Sequence, residues 1–259
     1  MKRTNLILLA VATFAGLQPQ AKARITLGSA SSFAILAGTG ITFSTAGVNI
    51  TGDIGSYSTT TVAGLSNVTF VTSGANRSLD SSIMPTAKSD LVSAYNAISG
   101  ATTTTSLTGV INLTGPTLTP GVYAITSTTT DITGDLTLNG GPTDVFIFKM
   151  SDTLITANSS SVLLTGGVLA SNVFWRVVSS ATLGDSSHFA GSVLADTAIT
   201  MGIGATVDGR LLANTAAVTL SGSGAIAVPT AIPEPATTAL IAAFGALGIA
   251  FWRRRRAAC

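Results

Sequence analysis

Residues 188–198 (HFAGSVLADTA) and 206–216 (TVDGRLLANTA) lie over one another at an offset of 18. The same offset carries Trp175 onto Val193, Ser179 onto Thr197 and Thr182 onto Thr200. One extra alanine in Thr215-Ala216-Ala217-Val218-Thr219 makes the next step 19. A short repeat is a severe constraint, because one copy cannot bury an apolar face alone and must stack on its neighbours. Each copy alternates apolar and polar residues in short runs broken by Gly, Asn or Asp, the pattern of strands joined by turns. Three strands of about four to six residues with three turns fit one copy, whereas a propeller blade needs about 40 residues. The spacing therefore predicts a mainly β fold, a parallel β-solenoid with about 18 residues per coil.

Composition supports a narrow coil. Charged residues are 9% of the chain, 27 positions are Gly, and apolar residues make up 46%, which is too apolar for a disordered chain. The formal charge of +2 misleads. Of the 13 cations, Lys2, Arg3, Lys22 and Arg24 precede residue 25 and Arg253, Arg254, Arg255 and Arg256 lie in the last seven positions. Between Ile25 and Val228, five cations face ten Asp and no Glu, a net −5. No basic stripe remains for nucleic acid.

Both ends read as addresses. Lys2 and Arg3 precede the apolar run Leu6–Gly16, and Ala21-Lys22-Ala23 offers a signal-peptidase site, so residues 1–23 are expected to be a signal peptide. At the other end Pro233-Glu234-Pro235 precedes the 17 uncharged residues 236–252 and then Arg253–Arg256. As a helix, 236–252 covers about 26 Å, slightly short of the roughly 30 Å hydrocarbon core, and the arginines would stay cytoplasmic. This order of parts resembles the PEP-CTERM sorting signal of bacteria that secrete exopolysaccharide. The resemblance implies recognition by a membrane sortase, exosortase, and assigns residues 229–259 to a sorting tail. The chain is thus expected at a bacterial cell surface or in its matrix, with transient anchoring by the C-terminal helix. Cys259 is the only cysteine, so no internal disulfide exists.

One segment of the body departs from the strand pattern. In residues 84–99 the apolar Ala87, Leu91, Ala94, Tyr95 and Ile98 recur at three and four, with Pro85 in the first turn. An amphipathic helix flanking the solenoid is expected there. Residues 56–82 show no clear period and are expected to cap an open end, as solenoids require.

Within 24–228, Phe33–Thr42 (FAILAGTGIT), Ile50–Gly55 (ITGDIG), Leu118–Tyr123 (LTPGVY), Asp144–Phe148 (DVFIF), Asn172–Val177 (NVFWRV) and Ser187–Gly191 (SHFAG) together resemble the ice-binding proteins of bacteria, fungi and algae. That resemblance implies a discontinuous, three-sided, right-handed solenoid in which coils near 33–55 and 118–227 complete one another. It also implies adsorption to ice through a flat face carrying Thr-Ala/Gly-x-Thr/Asn patterns, and a monomer is expected. Thr39-Gly40-Ile41-Thr42 and Thr197-Ala198-Ile199-Thr200 fit in full, Thr156-Ala157-Asn158-Ser159 ends in Ser, and Thr215–Thr219 fits if one Ala bulges. Ser179-Ser180-Ala181-Thr182 has a single Thr and interrupts the ladder. The candidate ice-contact residues are Thr39, Thr42, Thr156, Thr182, Thr197, Thr200, Thr215 and Thr219.

Thr suits such a surface, since its β-branch restricts χ1 and holds hydroxyl and methyl in fixed positions. Catalysis has no visible seat. The Asp residues mostly stand singly beside Gly or Thr, a turn role. Asp131 with Asp135 is the best acidic pair yet lacks the glycine-rich calcium nonapeptide, and the lone His188 reads as structural packing. No enzyme, metal or cofactor is expected. The rival is a matrix or adhesion protein contacting exopolysaccharide, against which the few aromatics, 6% of the chain, weigh.

Overall fold

The computed structural model describes residues 25–109 and 111–229. The expected signal peptide, the sorting tail from residue 230 onward and Cys259 lie outside them. The chain coils so that each turn lays one short strand on each of three sides, and every paired strand is parallel to its neighbour. We call them the helix side, the threonine side and the third side.

The threonine side is an eight-stranded sheet. From one end it runs Val62–Ala63, Ile41–Phe43, Val218–Leu220, Ile199–Met201, Ala181–Leu183, Thr153–Thr156, Thr129–Ile132 and Ile111–Asn112. The helix side carries Asp53–Ser56, Phe33–Ala37, Val173–Val177, Phe146–Met150, Gly121–Thr126 and Thr105–Thr108, with the second halves of Thr206–Ala213 and His188–Ala195 between them. Those two long strands bend onto the third side at Gly209 and Gly191. Gly191 has φ 110° and its place admits no Cβ, which would come within 2.7 Å of the Val173 carbonyl oxygen.

The solenoid is discontinuous, as the resemblance implied. Ile35 stands beside Leu211, Ile41 beside Val218 and Ile50 beside Ile226, so the first coil of the chain sits on the last. The 18-residue step holds from His188 to Thr206, whereas Phe146 pairs with Val173 and Gly121 with Phe146. The surplus sits mainly in the connections 140–145 and 166–172, both between the third side and the helix side. Residues 56–82 are only partly a cap. Val62–Ala63 and Val68–Phe70 build a final rung on Ile41–Phe43 and Val48–Thr51, and residues 75–77 carry it onto the helix side, where Ile54 donates to the Ala75 carbonyl and accepts from the Arg77 amide.

Inside, alternate residues of all three sides form one apolar core. Tyr123, Phe148 and Trp175 stack in a file, with ring centroids 5.2 and 3.9 Å apart. The buried Trp175 indole donates to the Ala190 carbonyl at 2.9 Å, which satisfies its polar atom. This burial removes Trp175 from any carbohydrate-binding role.

The helix, Met84–Gly100, ends one residue beyond the expected limit. It solves a problem of connectivity, since the chain must pass from the rung ending at Phe70 to the opposite end at Thr105. Seven rung spacings of about 4.8 Å make about 34 Å, and 17 helical residues cover about 25 Å of that. Met84, Ala87, Leu91, Ala94 and Ile98 are buried against Leu36, Ile147, Phe174, Leu194 and Leu212.

The body's cations hold this side together. Lys88 Nζ donates to the carbonyls of Ala213 and Asn214 at 3.0 and 2.6 Å. Lys149 Nζ donates to the Ala101 carbonyl at 2.7 Å, at the helix C-terminus where the helix dipole favours a cation. Arg176 lies 4.5 Å from the Tyr95 ring centroid. The buried Arg210 donates from Nε and Nη2 to the Ser31 carbonyl. The fifth cation, Arg77, pairs with Asp53 at 3.3 Å. Burial lowers the Lys88 pKa to about 8 and that of Arg210 to about 10.

Candidate functional site

Strands of the threonine side are only three or four residues long in its central rungs, and their burial alternates. Ile41 and Phe43, Ala181 and Leu183, Ile199 and Met201, and Val218 and Leu220 point into the core. The residue between each pair must therefore face out. These are Thr42, Thr182, Thr200 and Thr219, and the register sets them side by side in the order Thr182, Thr200, Thr219, Thr42. Four threonines at about 4.8 Å per rung span about 14 Å. None of the four hydroxyls bonds within the described residues, so all remain available to solvent.

Beside this column runs a trough of small residues. The carbonyls of Ser180, Ala198, Ala217 and Gly40 accept from Leu154, Ala181, Ile199 and Val218 at 3.0–3.1 Å, which aligns them rung to rung. Thr197, Thr215 and Thr39 border the trough at the bend into the helix side. Ser180 and Thr197 share a 2.8 Å hydroxyl hydrogen bond, and Thr215 Oγ1 donates to the Asp196 carbonyl. The extra residue at 216 bulges at this bend, where its carbonyl accepts from both Gly38 and Thr39. The central strands, 41–43, 181–183, 199–201 and 218–220, contain no charged residue.

Seven of the eight expected threonines thus gather on one side, and Thr156 does not. It is buried, and its hydroxyl accepts from the Gly184 amide at 2.9 Å. Register explains the correction, because Ile155 pairs with Thr182, leaving the next residue to turn inward. For the same reason the expected interruption at 179–182 is absent from the main column. Thr182 stands in line there, and only the bordering row changes from Thr to Ser. Beyond Thr182 the column continues as Ile155, Asp131 and Asn112, a limit that motif matching did not reveal. Aligning each strand by its inward apolar pair would have found it.

The third side is chemically different. Its outward register runs Thr69, Asn49, Ala225, Thr206, His188, Ser161, Asp135. His188 is exposed, not packed as expected, and its Nδ1 lies 2.7 Å from Thr206 Oγ1. Asp208 stands on the next outward row, its pKa raised by burial. Asp131 and Asp135 fall on different sides, so the best acidic pair of the sequence is no pair in space. Among the described residues no cluster of three or more His, Cys, Asp or Glu is placed to hold a metal. No described helix is long and apolar enough to cross a membrane.

A strip of methyls and hydroxyls aligned rung to rung, uncharged in its central strands and backed by an apolar core, suits an extended, repetitive partner better than a small molecule. Residues 35–225 match the family described as ice-binding-like, and residues 231–256 match the PEP-CTERM protein-sorting motif. An ice-binding protein of Nostoc sp. (strain HG1) is 35% identical over 99% of this chain and 97% of its own length. One from Colwellia sp. is 40% identical over 74% and 79%. The crystal structure of an ice-binding protein from an Antarctic biological consortium superposes with a TM-score of 0.75 at 38% identity. It covers 84% of this chain and 97% of that one. The chain belongs to the ice-binding-like family and carries a PEP-CTERM sorting motif at its C-terminus.

Proposed function

We propose that this protein adsorbs to ice through its threonine side, restraining crystal growth and recrystallisation. The observation that carries the reading is the register of Thr182, Thr200, Thr219 and Thr42 into one uncharged column beside a trough of small residues. Stacked rungs keep a sheet flat, and restricted χ1 angles keep its hydroxyls and methyls at fixed spacing. Water ordered over such a surface loses little further freedom when it joins a lattice. Ions would oppose this by holding their own hydration, and the column has none over four rungs.

The address segments fit an exported protein. Residues 1–23 serve as a signal peptide cut by signal peptidase, and Pro233-Glu234-Pro235, the apolar run 236–252 and Arg253–Arg256 serve an exosortase-like enzyme, delivering the body to the cell surface. No residue acts in catalysis.

The test is thermal hysteresis and ice recrystallisation inhibition by residues 25–228, which contain the whole described core. Activity is expected, with most of it lost in Thr200→Tyr, because a ring would lift the strip off a planar lattice. A folded but inactive fragment would overturn the proposal in favour of a matrix role beside exopolysaccharide. Full activity in Thr200→Tyr would move the contact to another side.

A further inference from the structure

The described chain enters and leaves the solenoid at one edge. Residues Gly28–Ser32 lead into the helix side there, held by Arg210 on the Ser31 carbonyl. Val228 follows the third-side strand Gly224–Ala227, and its amide donates to the Thr51 carbonyl at 3.1 Å. The two meet at Gly52, where an added Cβ would lie 2.5 Å from Val228 Cγ2 and 3.1 Å from the Ser32 carbonyl oxygen. The connections 140–145 and 166–172 lie along the same edge. In a three-sided coil, the edge between the helix side and the third side faces the threonine side across the core.

The chain beyond Val228 is short before its sorting motif. Residues 229–232 join Val228 to Pro233, a reach of at most about 17 Å when extended. One side of an 18-residue coil is about six residues, or about 20 Å, wide. The connection therefore cannot wrap round a side to bring the threonine strip against the surface that holds the tail. We propose that the protein works while held through its C-terminus, with the threonine side turned outward, so that its partner is ice outside the cell and it ties cell to ice. This rests on the ice-contact reading above. It also gives the crowding of ends and insertions at the opposite edge a common reason, since any of them beside the strip would stand proud of a planar partner.

The test uses the full chain in an exosortase-bearing bacterium, with Cys259→Ser and either Thr182→Cys or Ala227→Cys. Both positions are exposed, one on the strip and one beside the exit. Intact cells are treated with a bulky, membrane-impermeant maleimide. Orientation limits access, so Thr182→Cys is expected to label about tenfold faster than Ala227→Cys. Once detergent releases the protein, the rates should agree within about twofold. Equal rates on cells, faster labelling at Ala227→Cys, or protein found only in the medium would overturn the orientation. In parallel, cells are offered to an advancing ice front. Retention should be lost in Thr200→Tyr, and asymmetric labelling without retention would overturn ice as the partner while leaving the orientation standing.

Discussion

The helix side and the threonine side are built from the same coils, by the same parallel pairing, yet they meet different partners. On the helix side the outward positions hold Leu36, Leu212 and Leu194 in one register column, and Phe174 with Ile147 in the next. On the threonine side the corresponding column holds Thr42, Thr219, Thr200 and Thr182. Leucine and phenylalanine left outside would expose a large apolar patch, so the chain lays its own helix over them. Threonine can remain uncovered, because its methyl is small and its hydroxyl bonds to water. The cations divide in the same sense. Lys88, Lys149, Arg176 and Arg210 all serve the covered side, and none stands among the four central strands of the open one. One scaffold thus carries a dry face closed by protein and a wet face left for a lattice.

The comparison can be broken most severely from the covered side. Leu212→Ala and Leu194→Ala should each cost about 2–5 kcal/mol of stability, measured by urea unfolding at constant slope, while folded protein at low temperature keeps its ice activity. A loss of activity without loss of stability would show that the helix side, too, contacts ice. Next in size, Thr219→Lys places a strongly hydrated ammonium in the open column. Ice activity should fall sharply with a stability change within about 1 kcal/mol, whereas Ser93→Lys, on the exposed back of the helix, should leave activity unchanged.

A smaller effect sharpens where the open face ends. Ile155→Thr adds a fifth threonine to four, lengthening the column by about one rung spacing of 4.8 Å. Hysteresis should rise modestly, more so when Asp131→Thr removes the charge on the following rung. Unchanged activity would mean that the contact already ends above Thr182. The smallest effect concerns the clamp between helix and coil. Lys88 holds its proton less tightly folded, at about pH 8, than its ordinary 10.5, so between these values the unfolded chain binds more protons. Its contribution therefore makes stability rise with pH across that window and is lost as pH falls through about 8. Lys88→Met should flatten that rise in thermal unfolding followed from pH 7 to 11, and an unaltered slope would assign it to another group.

Much of the fold is legible in the residues because small local rules repeat. The 18-residue step between 188 and 206, the three- and four-residue spacing of Leu91, Ala94 and Ile98, and the turn glycines each act over a few positions. The site is less legible. Thr-Ala-x-Thr describes Thr197–Thr200 correctly and Thr156–Ser159 wrongly, since Ile155 is the residue in line with Thr200 and the same letters begin only after it. Insertions such as 140–145 and 166–172 hide the phase of the strands that follow them.

The sequence by itself determined that this chain forms parallel coils, covers one apolar strip with a helix and confines most of its cations to its ends. Only the tertiary structure decided which residues of Phe33–Thr51 stand beside which of the last coil, that Ile155 and not Thr156 continues the threonine column, and that the described chain enters and leaves opposite it. The physical reason is the two-residue period of a strand. Local patterns set the alternation, but which phase faces outward is settled when distant rungs hydrogen-bond and bury the other phase together.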